Sequence, residues 1–190
     1  MRIKDDNKLK SILNSSLELI NKHGFADISM SKIAKKAGVS PATIYIYFKD
    51  KEDLIKKTFK MVKSQFDESV KIKFEINLNL QKMFSNFWNN FFDFSIENKE
   101  HFKFMEQFLT YPNANKSRHS EMSVYNSQII DIIKEGKSNG TLKNLPDEII
   151  LILSLSPIIQ LIKSHINGEI EVTREKLHLA FQGAWEAIAF

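Results

Sequence analysis

The sequence predicts an all-α protein of about nine helices, and three observations predict it. Apolar residues recur at three-to-four spacing in one segment after another, as they do on helices with one buried face. Helix-breaking residues are few, with four prolines and six glycines in 190 residues. No segment sustains the period-two alternation that a half-buried strand requires.

The elements follow in order. Leu9, Ile12, Leu13, Leu17 and Ile20 share one face and predict a helix over residues 8–23, stopped by Gly24. Ser29 suits the N-cap of a second helix carrying Met30, Ile33, Ala34 and Ala37, which Gly38 ends. Ser40 and Pro41 supply a cap and a first-turn proline for a third helix ending near Phe48. Asp50 caps a fourth, with Glu52 and Asp53 in its first turn, where the macrodipole favours acids. Ile55, Phe59, Val62 and Phe66 continue its apolar stripe, and the helix can reach Lys71. Further helices are expected over residues 80–97, 99–109, 118–138, 146–167 and 173–189. Tyr111 to Asn115, Asn139-Gly140 and Asn167-Gly168 read as loops.

Composition narrows the function. With 43% hydrophobic and 26% charged residues the chain has a globular balance. Up to Asp50 there are nine Lys or Arg against five Asp or Glu, and beyond it 18 against 18. The whole excess of +4 therefore lies in the first quarter, which suits a polyanionic partner. Absence of cysteine excludes disulfides and cysteine-based chemistry, and the five histidines show no metal-ligand spacing. Gly136-Lys137-Ser138 resembles the end of a phosphate-binding loop, but Asp131 stands where the upstream glycine is needed. No catalytic elbow or dinucleotide fingerprint occurs, so catalysis, a metal and a cofactor are not expected. The charged N-terminus is no signal peptide, and the apolar run from Ile149 to Ile162 is shorter than a bilayer span. A soluble, cytoplasmic protein is the expectation.

Ser31 to Phe48 has what a helix-turn-helix requires. Ala34 is small enough for two helices to cross closely, and Gly38 can take the left-handed conformation of a sharp turn. Val39 and Ile44 are expected beneath the turn, with Ile33, Ala37 and Phe48 completing a small core. This leaves Ala42, Thr43, Tyr45, Ile46 and Tyr47 largely outside it. Hydroxyls and rings on a major-groove helix can reach phosphates, base edges and thymine methyls.

The longer string from Gly38 to Leu54, GVSPATIYIYFKDKEDL, closely resembles the DNA-binding signature of the tetracycline-repressor (TetR) family. Ile33-Ala34-Lys35-Lys36-Ala37 and His23-Gly24-Phe25 match upstream at the right distances, so the resemblance covers about Lys8 to Phe59. It implies DNA contact by Thr43, Tyr45 and Tyr47 on the recognition helix, and a phosphate contact by Lys51. Ser29, Ser31, Ser40 and Ala42 occupy positions that often touch DNA in relatives. Many relatives carry threonine at the place of Ser29, and glycine or proline at that of Ala42, so the base sequence read stays open.

The remainder of the chain is rich in rings. Eight of the 15 phenylalanines lie between Leu80 and Tyr111, more than one helix can bury in one direction. They can form a bulky core or the walls of a cavity for an apolar or aromatic ligand. The resemblance favours a cavity, for which Trp88, Phe91, Phe104, Phe108 and Tyr125 are the candidates. The run Ile149 to Ile162 is apolar nearly all round, and Leu177, Ala180, Phe181, Ala184, Trp185 and Ile188 form a stripe behind it. In relatives two such helices from each chain make a four-helix dimer bundle.

These readings converge on a helix-turn-helix module over residues 1–50, a connecting helix over 50–71, and a ligand-sensing and dimerisation domain over 51–190. The expected protein is a homodimeric, sequence-specific regulator that binds a pseudo-palindromic operator as a repressor and is released by a small inducer. The alternatives are an activator or co-regulator of the same build, and an all-helical small-molecule or lipid-binding protein without specific DNA recognition.

Overall fold

The first helix, α1 (Asp6–His23), begins where Asp5 turns its carboxylate onto the free N–H groups of Asn7 and Lys8. The computed structural model describes residues 5–71, 79–111 and 127–190. Eight further helices follow among the described residues: α2 (Met30–Lys36), α3 (Pro41–Tyr47), α4 (Lys51–Ser69), α5 (Leu80–Glu97), α6 (Lys99–Leu109), α7 (Ser127–Ser138), α8 (Asp147–Ile166) and α9 (Arg174–Ile188). The all-α expectation holds, and most boundaries fall within one or two residues of those expected. The stretch 118–126 of the expected seventh helix and the loop residues 112–115 lie outside the described residues.

Packing divides the chain into two units, with a boundary inside α4 between Gln65 and Phe66. The first holds α1 to α3, most of α4, and α6, so packing adds α6 to the basic N-terminal segment. Ile12, Leu17, Ile20, Ile33, Ala34, Ile44, Phe48, Leu54 and Ile55 form its core. Outside α1, α6 is held by rings: Phe25 stacks on Tyr111 at 4.3 Å, and Phe59 stacks on Phe108 at 4.0 Å. The Asn21 amide donates to the backbone carbonyl and the carboxylate of Glu100 at 2.7 and 2.8 Å.

The second unit holds the end of α4 with α5, α7, α8 and α9. Phe84, Phe87, Trp88 and Phe91 point into it and are almost wholly buried. Helix α8 is long and apolar enough to cross a membrane by length and composition, and it runs beyond the short apolar segment read from the sequence. Here Ile150, Leu155, Ile158 and Ile162 are core residues, so one side of α8 is seated in the unit. Pro157 lies inside α8 and deprives the Leu153 carbonyl of its usual donor. The next carbonyl, that of Ser154, accepts the Trp88 indole N–H at 3.0 Å. Gly136, which the sequence offered as part of a phosphate-loop pattern, has a packing role. A Cβ there would lie 2.5 Å from a Leu80 methyl and 2.6 Å from the Leu142 Cγ.

Candidate nucleic-acid interface

The interface is built on the turn between α2 and α3. Gly38 sits at φ +68°, a conformation that side-chain-bearing residues rarely adopt. Val39 N–H donates to the Ala34 carbonyl at 3.0 Å and Gly38 N–H to that of Lys35, closing α2 as a Schellman motif. The Ser11 hydroxyl donates to the Ala37 carbonyl at 3.1 Å, which fixes the turn to α1. Ile33, Ala34 and Ile44 are fully buried beneath it, as the sequence requires.

From this base α3 projects seven residues. Ser40 caps it, accepting the Thr43 N–H at 3.1 Å, and its hydroxyl lies 2.8 Å from that of Thr43. Pro41 follows without an N–H to satisfy. Ala42, Tyr45 and Ile46 are exposed, Tyr45 by 58%, and Thr43 is half-buried. These four side chains make the outer face of α3. Ser29 caps α2 by accepting the Lys32 N–H at 3.2 Å, and Ser31 is exposed in the first turn of that helix.

Tyr47 departs from expectation. It was expected outside the core, but only 7% of it is exposed. Three residues of helix, a little under one turn, carry residue 47 round to the side of Ile44, where its ring meets Phe48 at 6.4 Å. Its hydroxyl accepts the Asp5 N–H at 3.0 Å and donates to the Asp5 carbonyl at 3.3 Å. Tyr47 is thus a strut between the end of α3 and the start of α1. The spacing itself carried the warning, because 44 was already assigned inward and a residue three positions on lies on the same side of a helix.

At the start of α4, Asp50 caps the helix by accepting the Asp53 N–H at 2.8 Å. The Lys51 ammonium donates to the Ala26 carbonyl at 3.3 Å and remains partly exposed. Glu52 is hydrogen-bonded by the Tyr111 hydroxyl. Two residues missed in the sequence complete the corner. The Asp53 carboxylate accepts from the Lys49 N–H at 3.0 Å and from the Lys57 ammonium at 2.9 Å. The Lys57 hydrogen bond, with help from Lys49, holds the Asp53 carboxyl below its ordinary value. The same Lys57 ammonium donates to the Tyr47 carbonyl at 2.9 Å and lies 5.1 Å from the centre of the Phe48 ring. Asp and Lys four residues apart on a helix were the available signal.

The residues expected to line a cavity are divided between the two units. Trp88 and Phe91 belong to the second unit, where Trp88 meets Phe181 at 5.5 Å and Phe91 meets Phe66 at 5.0 Å. Phe104 and Phe108 belong to the first, where both pack against Phe25. All four are buried. Tyr125 lies outside the described residues.

Two family models match the chain. Residues 12–58 match "Bacterial regulatory proteins, tetR family", and residues 79–189 match "Tetracyclin repressor-like, C-terminal domain". The solved structure of a TetR family transcription regulator from Marinobacter aquaeolei is 32% identical, with a TM-score of 0.85 over 100% of this chain and 99% of that one. An HTH-type transcriptional regulator of Haemophilus influenzae is 25% identical over 94% of each chain. The fatty acid metabolism regulator protein of Bacillus subtilis is 44% identical over 61 residues, 32% of this chain and 31% of that protein.

Proposed function

This chain belongs to the TetR family of DNA-binding transcriptional regulators, and we propose that it acts in the cytoplasm as a homodimeric repressor whose α3 reads a pseudo-palindromic operator. The observation that carries the reading is the outer face of α3, where Tyr45 and Ile46 stand 58% and 38% exposed on a rigidly capped helix. Set beside the hydroxyls of Ser40 and Thr43, these side chains match base edges and thymine methyls. Thr43 and Tyr45 are the base-reading candidates, with the small, exposed Ala42 as a further contact on the same helix. Lys51, Ser29, Ser31 and Ser40 are candidates for the phosphates. The Ser29 hydroxyl already accepts one backbone N–H and can still donate outward, and the Ser40 hydroxyl, which also accepts one, can do so when Thr43 donates in their mutual contact. Tyr47 supports the helix from within, so base reading rests on its neighbours.

Dimerisation is assigned to α8 and α9. Ile149, Ile152 and Leu179 are exposed by 39%, 48% and 58%. Gly183, in mid-helix on α9, has nothing within 4 Å of where a Cβ would stand. Glycine in a helix interior costs about 1 kcal/mol against alanine, a cost that a close helix from a second copy would offset. Two copies would then present their α3 helices to major grooves about one helical turn apart, ~34–36 Å. The proposed division of labour is residues 1–50, with Lys51 at the start of the connecting helix 50–71, for DNA, and the rest of 51–190 for assembly and sensing. The inducer is proposed as a small apolar or aromatic molecule, on the ring-rich composition of α5 and α6. It would release DNA by as much as it prefers one dimer shape over the other.

Selection of randomised duplex DNA by the wild type beside a Tyr45→Ala/Lys51→Ala double variant tests the reading. The expected result is an inverted repeat enriched by the wild type alone. No enrichment would leave a helical ligand-binding protein as the better account, and equal enrichment by both would move the reading away from Tyr45 and Lys51.

A further inference from the structure

A seven-residue helix has little of its own to hold its direction. Its last carbonyls lack intrahelical donors and carry the negative end of the helix dipole. The α3 helix ends in Tyr47, and the chain must then turn within Phe48, Lys49 and Asp50 to enter α4. Lys57, two turns into α4, reaches back over this whole corner. Its ammonium takes the Tyr47 carbonyl at 2.9 Å, and its charge lies over the Phe48 ring at 5.1 Å. Its partner Asp53, bound at 2.9 Å, takes the Lys49 N–H at 3.0 Å. One lysine–aspartate pair thereby fastens three successive residues of the connection to a single face of α4.

We propose that Lys57, oriented by Asp53, is a positioning residue for DNA recognition that sets the angle of α3 against α4 without touching DNA. The proposal rests on the reading of α3 as the recognition helix. The physical reason is leverage. Tyr45 stands two residues before the carbonyl that Lys57 holds, so any rotation allowed at residue 47 displaces the base-reading face. Base contacts lose strength over a few tenths of an ångström, whereas phosphate attraction is long-ranged and tolerant. Loss of the Lys57 bond should therefore weaken specific binding more than non-specific binding. The pair is partly exposed, so its effect on stability is small, as is usual for surface ion pairs.

The test uses the full-length protein and two probes: the duplex that the wild type enriches from a randomised pool, and a scrambled duplex of the same length. Lys57→Met keeps the stem over Phe48 and removes the ammonium. Lys57→Arg restores a charged donor. Lys60→Met, at an exposed lysine on the same helix, reproduces the change of charge alone. Affinities are read across a salt series, at a temperature below the melting of every variant. Relative to Lys60→Met, Lys57→Met is expected to lose roughly 3- to 10-fold on the selected duplex, a fraction of one base-pair mismatch up to its full size. Its affinity for the scrambled duplex and its salt slope should match those of Lys60→Met, and Lys57→Arg should recover most of the loss. Equal losses on both duplexes with a salt slope shallower by about 0.9 would make Lys57 a phosphate contact and overturn the proposal. Identical behaviour of Lys57→Met and Lys60→Met would overturn it as well. A wild type that enriches no sequence overturns the recognition reading and this proposal with it, and so is distinguishable from failure of the proposal alone.

Discussion

Helix α3 and the pair α8 and α9 both leave large apolar side chains in solvent, yet they do so in opposite settings. On α3, Tyr45 and Ile46 stand among hydroxyls, and Lys35, Lys36 and Lys49 are exposed on neighbouring segments. Ile149, Ile152 and Leu179 stand on helices whose other faces are core, and Gly183, one turn after Leu179, has open space where a Cβ would stand. The first setting offers apolar contact inside a basic surface, as a nucleic-acid groove requires. The second offers apolar side chains on helices whose remaining faces are core, which another apolar surface can cover favourably. Exposure alone does not identify a partner; what surrounds the exposed side chain does.

The largest effect is expected where that contrast is attacked directly. Ile152→Glu would place an unpaired carboxylate from each copy in the proposed dimer interface, at a cost of about 3–5 kcal/mol to association. Sedimentation should show monomers at micromolar concentration with an unchanged helical spectrum. A dimer that survives would move the interface away from α8. The matching change on α3, Tyr45→Ala, is expected to cost about 1–3 kcal/mol of binding to the selected duplex while leaving the melting temperature within error. If Tyr45→Ala instead lowered the melting temperature, the ring would be supporting the fold.

Two changes of intermediate size sharpen the comparison from within each unit. Gly136→Ala forces a methyl against Leu80 and Leu142 in the second unit and should destabilise it by about 1–3 kcal/mol, read by thermal unfolding. Tyr47→Phe removes the hydroxyl that exchanges hydrogen bonds with Asp5 and should cost about 0.5–1.5 kcal/mol of stability. Its effect on DNA binding should be smaller than that of Tyr45→Ala. The reverse order would restore Tyr47 as a direct contact.

The smallest effect concerns pH. Asp5, Asp53, Glu100 and His101 are held away from their ordinary values, and all four lie in the first unit. The Lys8 backbone N–H lowers Asp5, Lys57 lowers Asp53 and the Asn21 amide lowers Glu100, so each carboxylate's contribution is present above its ordinary value and lost as pH falls through its folded one. Burial lowers His101, so the unfolded chain takes up its proton first and stability falls as pH drops below 6.5. Acid should therefore weaken the first unit before the second. Trp88 and Trp185 both lie in the second unit, so their fluorescence should change at lower pH than the helical signal. Coincident transitions would mean that the units unfold as one.

Most of the helices and the turn were legible because their signals are local. Ser29, Ser40, Gly38 and Pro41 act on backbone groups within four residues, and a periodic stripe names its own buried face. The exposed face of α3 was legible for the same reason; the inward side of Tyr47 was signalled by its spacing from Ile44, but not its hydroxyl's partner, Asp5, 42 residues away in sequence. The Lys57 bond to the Tyr47 carbonyl was not legible, because ten residues and a change of helix direction separate them. The aromatic segment was least so. Composition established that the rings between Leu80 and Tyr111 must be buried, but not against what. Only tertiary packing decided that Trp88 and Phe91 join one unit while Phe104 and Phe108 join the other. The sequence by itself determined the all-α class, the helix-turn-helix and its family, because caps, turns and periodicity act over one or two turns of chain. Partners of rings and long polar side chains were decided by the fold, because burial is non-directional and selects among many distant surfaces.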